Sequence, residues 1–155
     1  MSKKSNTILF WHRRDLRIDD NKGLYEALKT GKEVIPIFIF DTDILDKLPG
    51  DDARMELIHK EVDRLKQGYN QLGSDLRTFT GQPEVILNEL SKKYQVSAVY
   101  CNEDYEPLAI ERDLNVQEKI RPCEFKQFKD QVIFAKHEIT KNDGPPYTIL
   151  TPYKN

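Results

Sequence analysis

Apolar and polar positions along the chain switch between two periods. Apolar runs of strand length stand at Ile8 to Trp11, Val34 to Phe40 and Val96 to Cys101, with two more polar ones at Asp75 to Thr80 and Glu124 to Lys129. Between them the spacing becomes helical. Met55, Ile58, Val62, Leu65, Tyr69 and Leu72 follow in steps of three and four, which places them on one helix face, and Gly73 stands where that helix should stop. Pro83 suits a first helical position and opens a pattern that buries Ile86, Leu87, Leu90 and Tyr94, and another helix should begin near Pro107. A short helix is expected from about Lys22 to Thr30, capped by Asp20 or Asn21 and ended by Gly31.

Strands and helices in alternation call for a parallel sheet, because each parallel return needs a crossover and crossovers are right-handed. The first, second and fourth strands are apolar enough for burial on both faces. The third (DLRTFT) and fifth (EFKQFK) carry charges suited to sheet edges. The expected fold class is therefore α/β, a five-stranded, doubly wound, Rossmann-like parallel sheet of order 3-2-1-4-5 with helices on both faces. Pro36 has no N–H for a ladder, so it should open the second strand or sit at a bulge. Past Gln131 the pattern turns irregular, and Gly144, Pro145 and Pro146 mark a turn. One domain over residues 1–140, followed by the start of a linker over 141–155, is the expected organisation.

Composition narrows the function classes. A chain of 155 residues, 38% apolar and 32% charged, suits one buried core and is too short for two. Its 24 basic and 26 acidic residues are dispersed and leave a net charge of −2, so no global field draws it to nucleic acid or a membrane. No apolar run approaches the roughly 20 residues of a spanning helix, and Met1 to Thr7 is polar rather than signal-like, so a cytoplasmic location is expected. Cys101 and Cys123 lack metal-ligand spacing, and neither a disulfide nor a metal site is expected.

In an open doubly wound sheet, ligands sit beyond the carboxyl ends of the strands where the strand order reverses, here between the first and fourth strands. Two loops should meet there. One carries His12, Arg13, Arg14, Asp15 and Arg17; the other carries Asn102, Glu103, Asp104, Tyr105 and Glu106. For most of these residues the expected role is mutual neutralisation. The first loop has no glycine, which excludes a backbone cradle for pyrophosphate and with it NAD-binding and nucleotide-hydrolysing readings. The third strand ends at Thr80 and Gly81, without the Asp a phosphorylated receiver needs. His12, His59 and His137 have no Ser or Cys nearby in an elbow-like setting, so no catalytic residue is expected, and His59, on the polar side of the long helix, is assigned no role.

The segment WHRRDLRIDDNKGL resembles the signature that opens DNA photolyases and cryptochromes: an aromatic strand end, Arg-x-Asp-Leu-Arg, then Asp-Asn and a helix. Trp11, Arg13, Asp15, Leu16, Arg17, Asp20, Asn21 and Leu24 match, while His12 stands where that family usually has an aromatic such as Phe. VIPIFIFD (Val34 to Asp41), CNEDYEP (Cys101 to Pro107) followed by Glu111-Arg112-Asp113, and GPPYTILTPYK (Gly144 to Lys154) match in order. The resemblance implies an N-terminal α/β domain that helps hold a light-harvesting antenna chromophore beside a C-terminal helical domain. That helical domain binds FAD and reaches damaged DNA. In photolyases the excited antenna passes energy to the reduced flavin, which donates an electron to a cyclobutane pyrimidine dimer.

Asn155 falls just inside the TPYK-type segment, so the FAD domain is expected to lie outside these residues, and the fragment alone is expected to be monomeric and inactive. Folate-binding members continue past Tyr-Glu with an Asn-Glu pair, where this chain has Leu108 and Ala109; deazaflavin or FMN is implied over folate. The resemblance makes Asp104 the leading antenna contact, with Glu103, Glu106, Phe40 and Asp41 as neighbours. It gives Arg13, Asp15 and Arg17, together with Asp20 and Asn21, a structural role in the strand-to-helix turn through charge-assisted hydrogen bonds. Three alternatives stay open: a cryptochrome-type blue-light photoreceptor, a scaffold that carries no antenna, and a non-catalytic nucleotide-binding module. The last would normally show a glycine-rich phosphate loop, which CNEDYEP lacks.

Overall fold

The computed structural model describes residues 6–50 and 52–132. Along them run β1 (Thr7–His12), α1 (Lys22–Lys29), β2 (Glu33–Asp41), α2 (Thr42–Leu45), α3 (Ala53–Gln71), β3 (Arg77–Gly81), α4 (Pro83–Lys93), β4 (Val96–Asn102), α5 (Pro107–Lys119) and β5 (Glu124–Phe128). The strands form one parallel sheet in the order β3-β2-β1-β4-β5, as the charge pattern of the strands predicts. Side chains alternate across β1, and that alternation divides the core. Leu9 and Trp11 pack with Ile37, Leu87, Val99 and Val116 beneath α4 and α5, whereas Ile8 and Phe10 pack with Leu24, Val62, Leu65 and Tyr69 beneath α1 and α3.

Boundaries differ from the sequence expectation for local reasons. Asn21, not Asp20, caps α1: its side-chain oxygen accepts from the Leu24 N–H, and Asp20 takes a left-handed conformation (φ 50°) that turns the chain into the helix. Asp52 caps α3 three residues ahead of Met55, and the helix stops at Gln71. Leu72 is therefore exposed rather than part of the buried face, and Met55 and Ile58 are only half-buried. The sequence pattern does not show α2, a single turn capped by Asp41.

Pro36 is the fourth residue of β2, neither at its beginning nor at a bulge: it faces Phe10 in an unbroken β1–β2 register. The β2–β3 ladder starts only at Ile37, so at Pro36 the strand is paired on one side alone and the missing donor interrupts no second ladder. The segment GPPYTILTPYK and the expected 140/141 boundary lie outside the described residues. Among the described residues no helix is long and apolar enough to cross a membrane.

Candidate functional site

The loops after β1 and β4 meet at the carboxyl edge of the sheet, and a buried carboxylate organises them. Asp15, 2% exposed, accepts the Arg13 N–H on one oxygen (2.9 Å) and, on the other, the amides of Asn21 (2.9 Å) and Asn102 (2.8 Å). Asn102 closes the network. Its amide also donates to the Asn21 side-chain oxygen (2.8 Å), and its own oxygen accepts the Gly23 N–H (2.8 Å) in the first turn of α1. A residue with a Cβ at position 23 would meet that oxygen at 2.6 Å, so the close approach requires glycine.

The charge-assisted hydrogen bonds of the Arg-x-Asp-Leu-Arg loop do not include an Arg–Asp side-chain pair within it. Asp15 is satisfied by neutral amides and a backbone N–H, and the two arginines turn to more distant carboxylates. Arg13 grips both oxygens of Asp113 on α5 (2.6 and 2.7 Å) and donates to the Asn102 carbonyl. Arg17 pairs with Asp130 and donates to the Asp20 carbonyl (3.0 Å). Neutral amides solvate a carboxylate without adding a second charge to the interior, which leaves both guanidinium groups free to tie β1 to α5 and to the chain beyond β5.

His12 is fully buried and belongs to the same loop. Its Nδ1–H donates to the Asp15 carbonyl (2.9 Å), which fixes the tautomer, and Nε2 accepts the Tyr69 hydroxyl (2.7 Å). Burial holds this imidazole below its ordinary pKa, with Asp15 opposing the effect. His12 is a neutral link between β1 and α3. His59, assigned no role from sequence, stacks on the Phe40 ring at 4.5 Å between centroids.

The five residues implied as antenna contacts fall on two rims of the crevice that flank the end of β1. Phe40 and Asp41 end β2. Burial pushes the Asp41 carboxyl above the usual range, partly offset by the Asp43 N–H that it accepts at the head of α2. Glu103, Asp104 and Glu106 follow β4 on the other rim. Asp104, with a side chain 8% exposed, sits 3.5 Å from Arg14 and accepts the Glu106 N–H (3.2 Å), while Glu106 pairs with Arg14 at 2.7 Å. Glu103 accepts the Tyr105 hydroxyl (2.6 Å). This is the mutual neutralisation expected of the loops, and it directs Asp104 inward.

Between the rims lies Trp11, 2% exposed, with the Arg13 guanidinium 5.1 Å and the Arg112 guanidinium 5.0 Å from its ring centroid. Sequence alone assigns no individual role to Asn102, Arg112 or Asp113. The only signal for the latter two was the Glu111-Arg112-Asp113 match, because partners 100 residues apart leave no spacing to detect. Among the described residues no cluster of His, Cys, Asp and Glu could hold a metal ion. Both thiols are weakly acidic: burial pushes Cys101 up to about 12 and Cys123 up to about 11.

Comparison with known proteins identifies the family and supports the fold. Residues 8–155 match the family model described as DNA photolyase. A deoxyribodipyrimidine photo-lyase of Synechococcus is 34% identical over 94% of this chain, which spans 31% of that relative's length. Among solved structures, a class III photolyase from Agrobacterium tumefaciens is 27% identical with a TM-score of 0.84, covering 99% of this chain and 32% of its own. An archaeal photolyase from Sulfolobus tokodaii, described with two FAD molecules that imply a novel light-harvesting cofactor, is 30% identical with a TM-score of 0.77 over 87% of this chain and 32% of its own. The chain thus spans about a third of the length of each of these three proteins.

Proposed function

The chain belongs to the DNA photolyase family, and on that premise we propose that it is the antenna-chromophore-binding α/β domain of a deoxyribodipyrimidine photo-lyase. In this reading the whole protein is cytoplasmic and repairs cyclobutane pyrimidine dimers by light-driven electron transfer from FAD. The partner surface and the FAD site belong to a C-terminal helical domain, which also meets damaged DNA. When bound, the antenna supplies absorption of light. The chain's own residues hold it and orient it.

The observation that carries the reading is the crevice at the β1–β4 switch point. There the two loops are joined by a buried hydrogen-bonded network (Asp15, Asn21, Asn102) and flanked by the charged Arg14, Asp104 and Glu106, and among the described residues there is neither a phosphate cradle nor a nucleophile. Such a site favours retention of a planar ring over turnover of a substrate. Deazaflavin or FMN is favoured over folate, since Leu108, 71% exposed, and the buried Ala109 offer no amide or carboxylate to a pterin. Asp41 and Phe40 on one rim, with Asp104, Glu103 and Glu106 on the other, are the proposed contacts.

The test is spectroscopic. Protein carrying both domains should show absorbance beyond that of FAD, or gain it when FMN, 8-hydroxy-5-deazariboflavin or methenyltetrahydrofolate is added. No gain with any of the three would leave the crevice as scaffold. Repair of a thymine-dimer oligonucleotide under light should require the helical domain; repair by the 155 residues alone would overturn the division of labour, and light-driven flavin reduction without repair would favour the cryptochrome alternative.

A further inference from the structure

Beyond β5 the described chain runs from Lys129 to Val132 outside any helix or strand. A charged residue in such a stretch ordinarily turns to water. Asp130 does not: its side chain is 4% exposed, and each of its oxygens meets a donor from near the other end of the sequence. Oδ1 accepts the Lys22 N–H at 2.8 Å, and Oδ2 pairs with Arg17. The Lys22 N–H is one of those that the first turn of α1 cannot satisfy by itself, and a carboxylate there also meets the positive end of the helix dipole. Asn21 caps the same turn at Leu24, so Asp130, 108 positions downstream of Lys22, supplies a second cap.

These contacts join the exit of the chain to the crevice. Arg17 donates to the Asp20 carbonyl (3.0 Å), and its own carbonyl accepts the amide of Asn21 (3.1 Å), which also donates to Asp15 (2.9 Å). The other loop holds the same stretch, because the Glu103 N–H donates to the Phe128 carbonyl (2.8 Å). The place where the chain leaves the sheet is thus fixed from both loops that meet at the switch point. Immediately after Asp130 the hold ends: Gln131 and Val132 are exposed.

Resting on the reading above, in which a flavin-bearing helical domain follows, we propose that Asp130 is a positioning residue: by anchoring the chain to α1 and to Arg17 it sets where the chain leaves this domain, and so where the flavin stands relative to the antenna crevice. Domains joined by a free linker move relative to one another unless something holds them. Energy transfer between two chromophores falls steeply with their separation and depends on their relative orientation. A fixed exit therefore serves the reaction although Asp130 touches neither chromophore.

Two preparations test this. In the 155-residue chain, amide hydrogen exchange at Lys22 reads the anchor directly, because no partner within α1 protects that N–H. The wild type should exchange it about tenfold or more slowly than Asp130→Ala does, the scale of one charge-assisted hydrogen bond, with Arg17→Gln between them. Equal rates in all three would overturn the anchor. In protein carrying both domains, small-angle X-ray scattering reads the arrangement of the domains, and the fluorescence lifetime of the antenna reads transfer to FAD. Asp130→Ala should broaden the distance distribution and lengthen the lifetime. A merely structural Asp130 would lower the melting temperature and leave scattering and lifetime unmoved, and that result would overturn the positioning role. If Asp130→Ala fails to fold, judged by thermal melting, Asp130→Asn decides. It keeps an acceptor for the Lys22 N–H and loses the charge that Arg17 pairs with, so a partial broadening supports the proposal and wild-type scattering overturns it. A wild type that holds no antenna would sink the antenna reading alone, since scattering still tests Asp130.

Discussion

At the scale of single residues, the carboxylate of Asp15 illustrates how a buried charge is held without a counter-charge in contact. Three N–H groups converge on it, and Asp15→Ala would leave the Arg13 N–H and the Asn21 and Asn102 amides short of an acceptor. The expected loss of stability is roughly 2 to 4 kcal/mol, from unsatisfied donors rather than from an unpaired arginine, and chemical denaturation measures it. Asp15→Asn should be little better, since its new amide group would face two amide donors. His12 makes a prediction about pH. In the unfolded chain it protonates near 6.5, and burial lowers that value in the fold. The unfolded state then binds more protons, so stability is full above about pH 6.5 and falls as the pH drops through it, by at most about 1.4 kcal/mol per unit. Melting curves between pH 7 and 5 should show this slope, and His12→Phe should flatten it. An identical slope in the variant would show that other groups cause the acid sensitivity.

At the scale of elements, contacts between strand ends and helix ends position the site. The first turn of α1 approaches the end of β4 so closely that Gly23 has no room for a side chain, with Asn102 at 2.6 Å and Phe10 at 2.9 Å from an added Cβ. Gly23→Ala should therefore cost about 1 to 3 kcal/mol even though alanine favours helix, because the clash outweighs the gain in propensity. A melting temperature equal to or above wild type would refute that. The Arg13–Asp113 pair ties β1 to α5 in the same region, with side chains 6% and 5% exposed. Removing either partner alone strands a buried charge and should cost about 3 to 5 kcal/mol, while the double variant should lose less than the sum. A double-mutant cycle with no coupling would contradict the geometry.

For the whole molecule, charge sets the expectation. With 24 basic and 26 acidic residues the chain has no excess of cations to release counterions from DNA. The 155 residues should show no salt-dependent affinity for a thymine-dimer oligonucleotide by fluorescence anisotropy. Binding that weakens steeply with added salt would mean that this domain carries a DNA surface of its own.

The alternation of periods and the polarity of the edge strands made the strand order legible, because burial on both faces demands apolar runs and a solvent-exposed edge tolerates charge. The meeting of the loops after β1 and β4 followed from that order, and the Arg-x-Asp-Leu-Arg loop marked the family. What sequence alone determined about this protein is thus its topology, its kinship and the two loops that meet. Only the tertiary structure decided which charges pair. Arg13 finds Asp113 a hundred positions away, and Asp15 is satisfied by amides instead. The physical reason is that periodicity reports which face of an element is buried, whereas hydrogen-bond partners depend on where side chains from different elements converge to within about 3 Å.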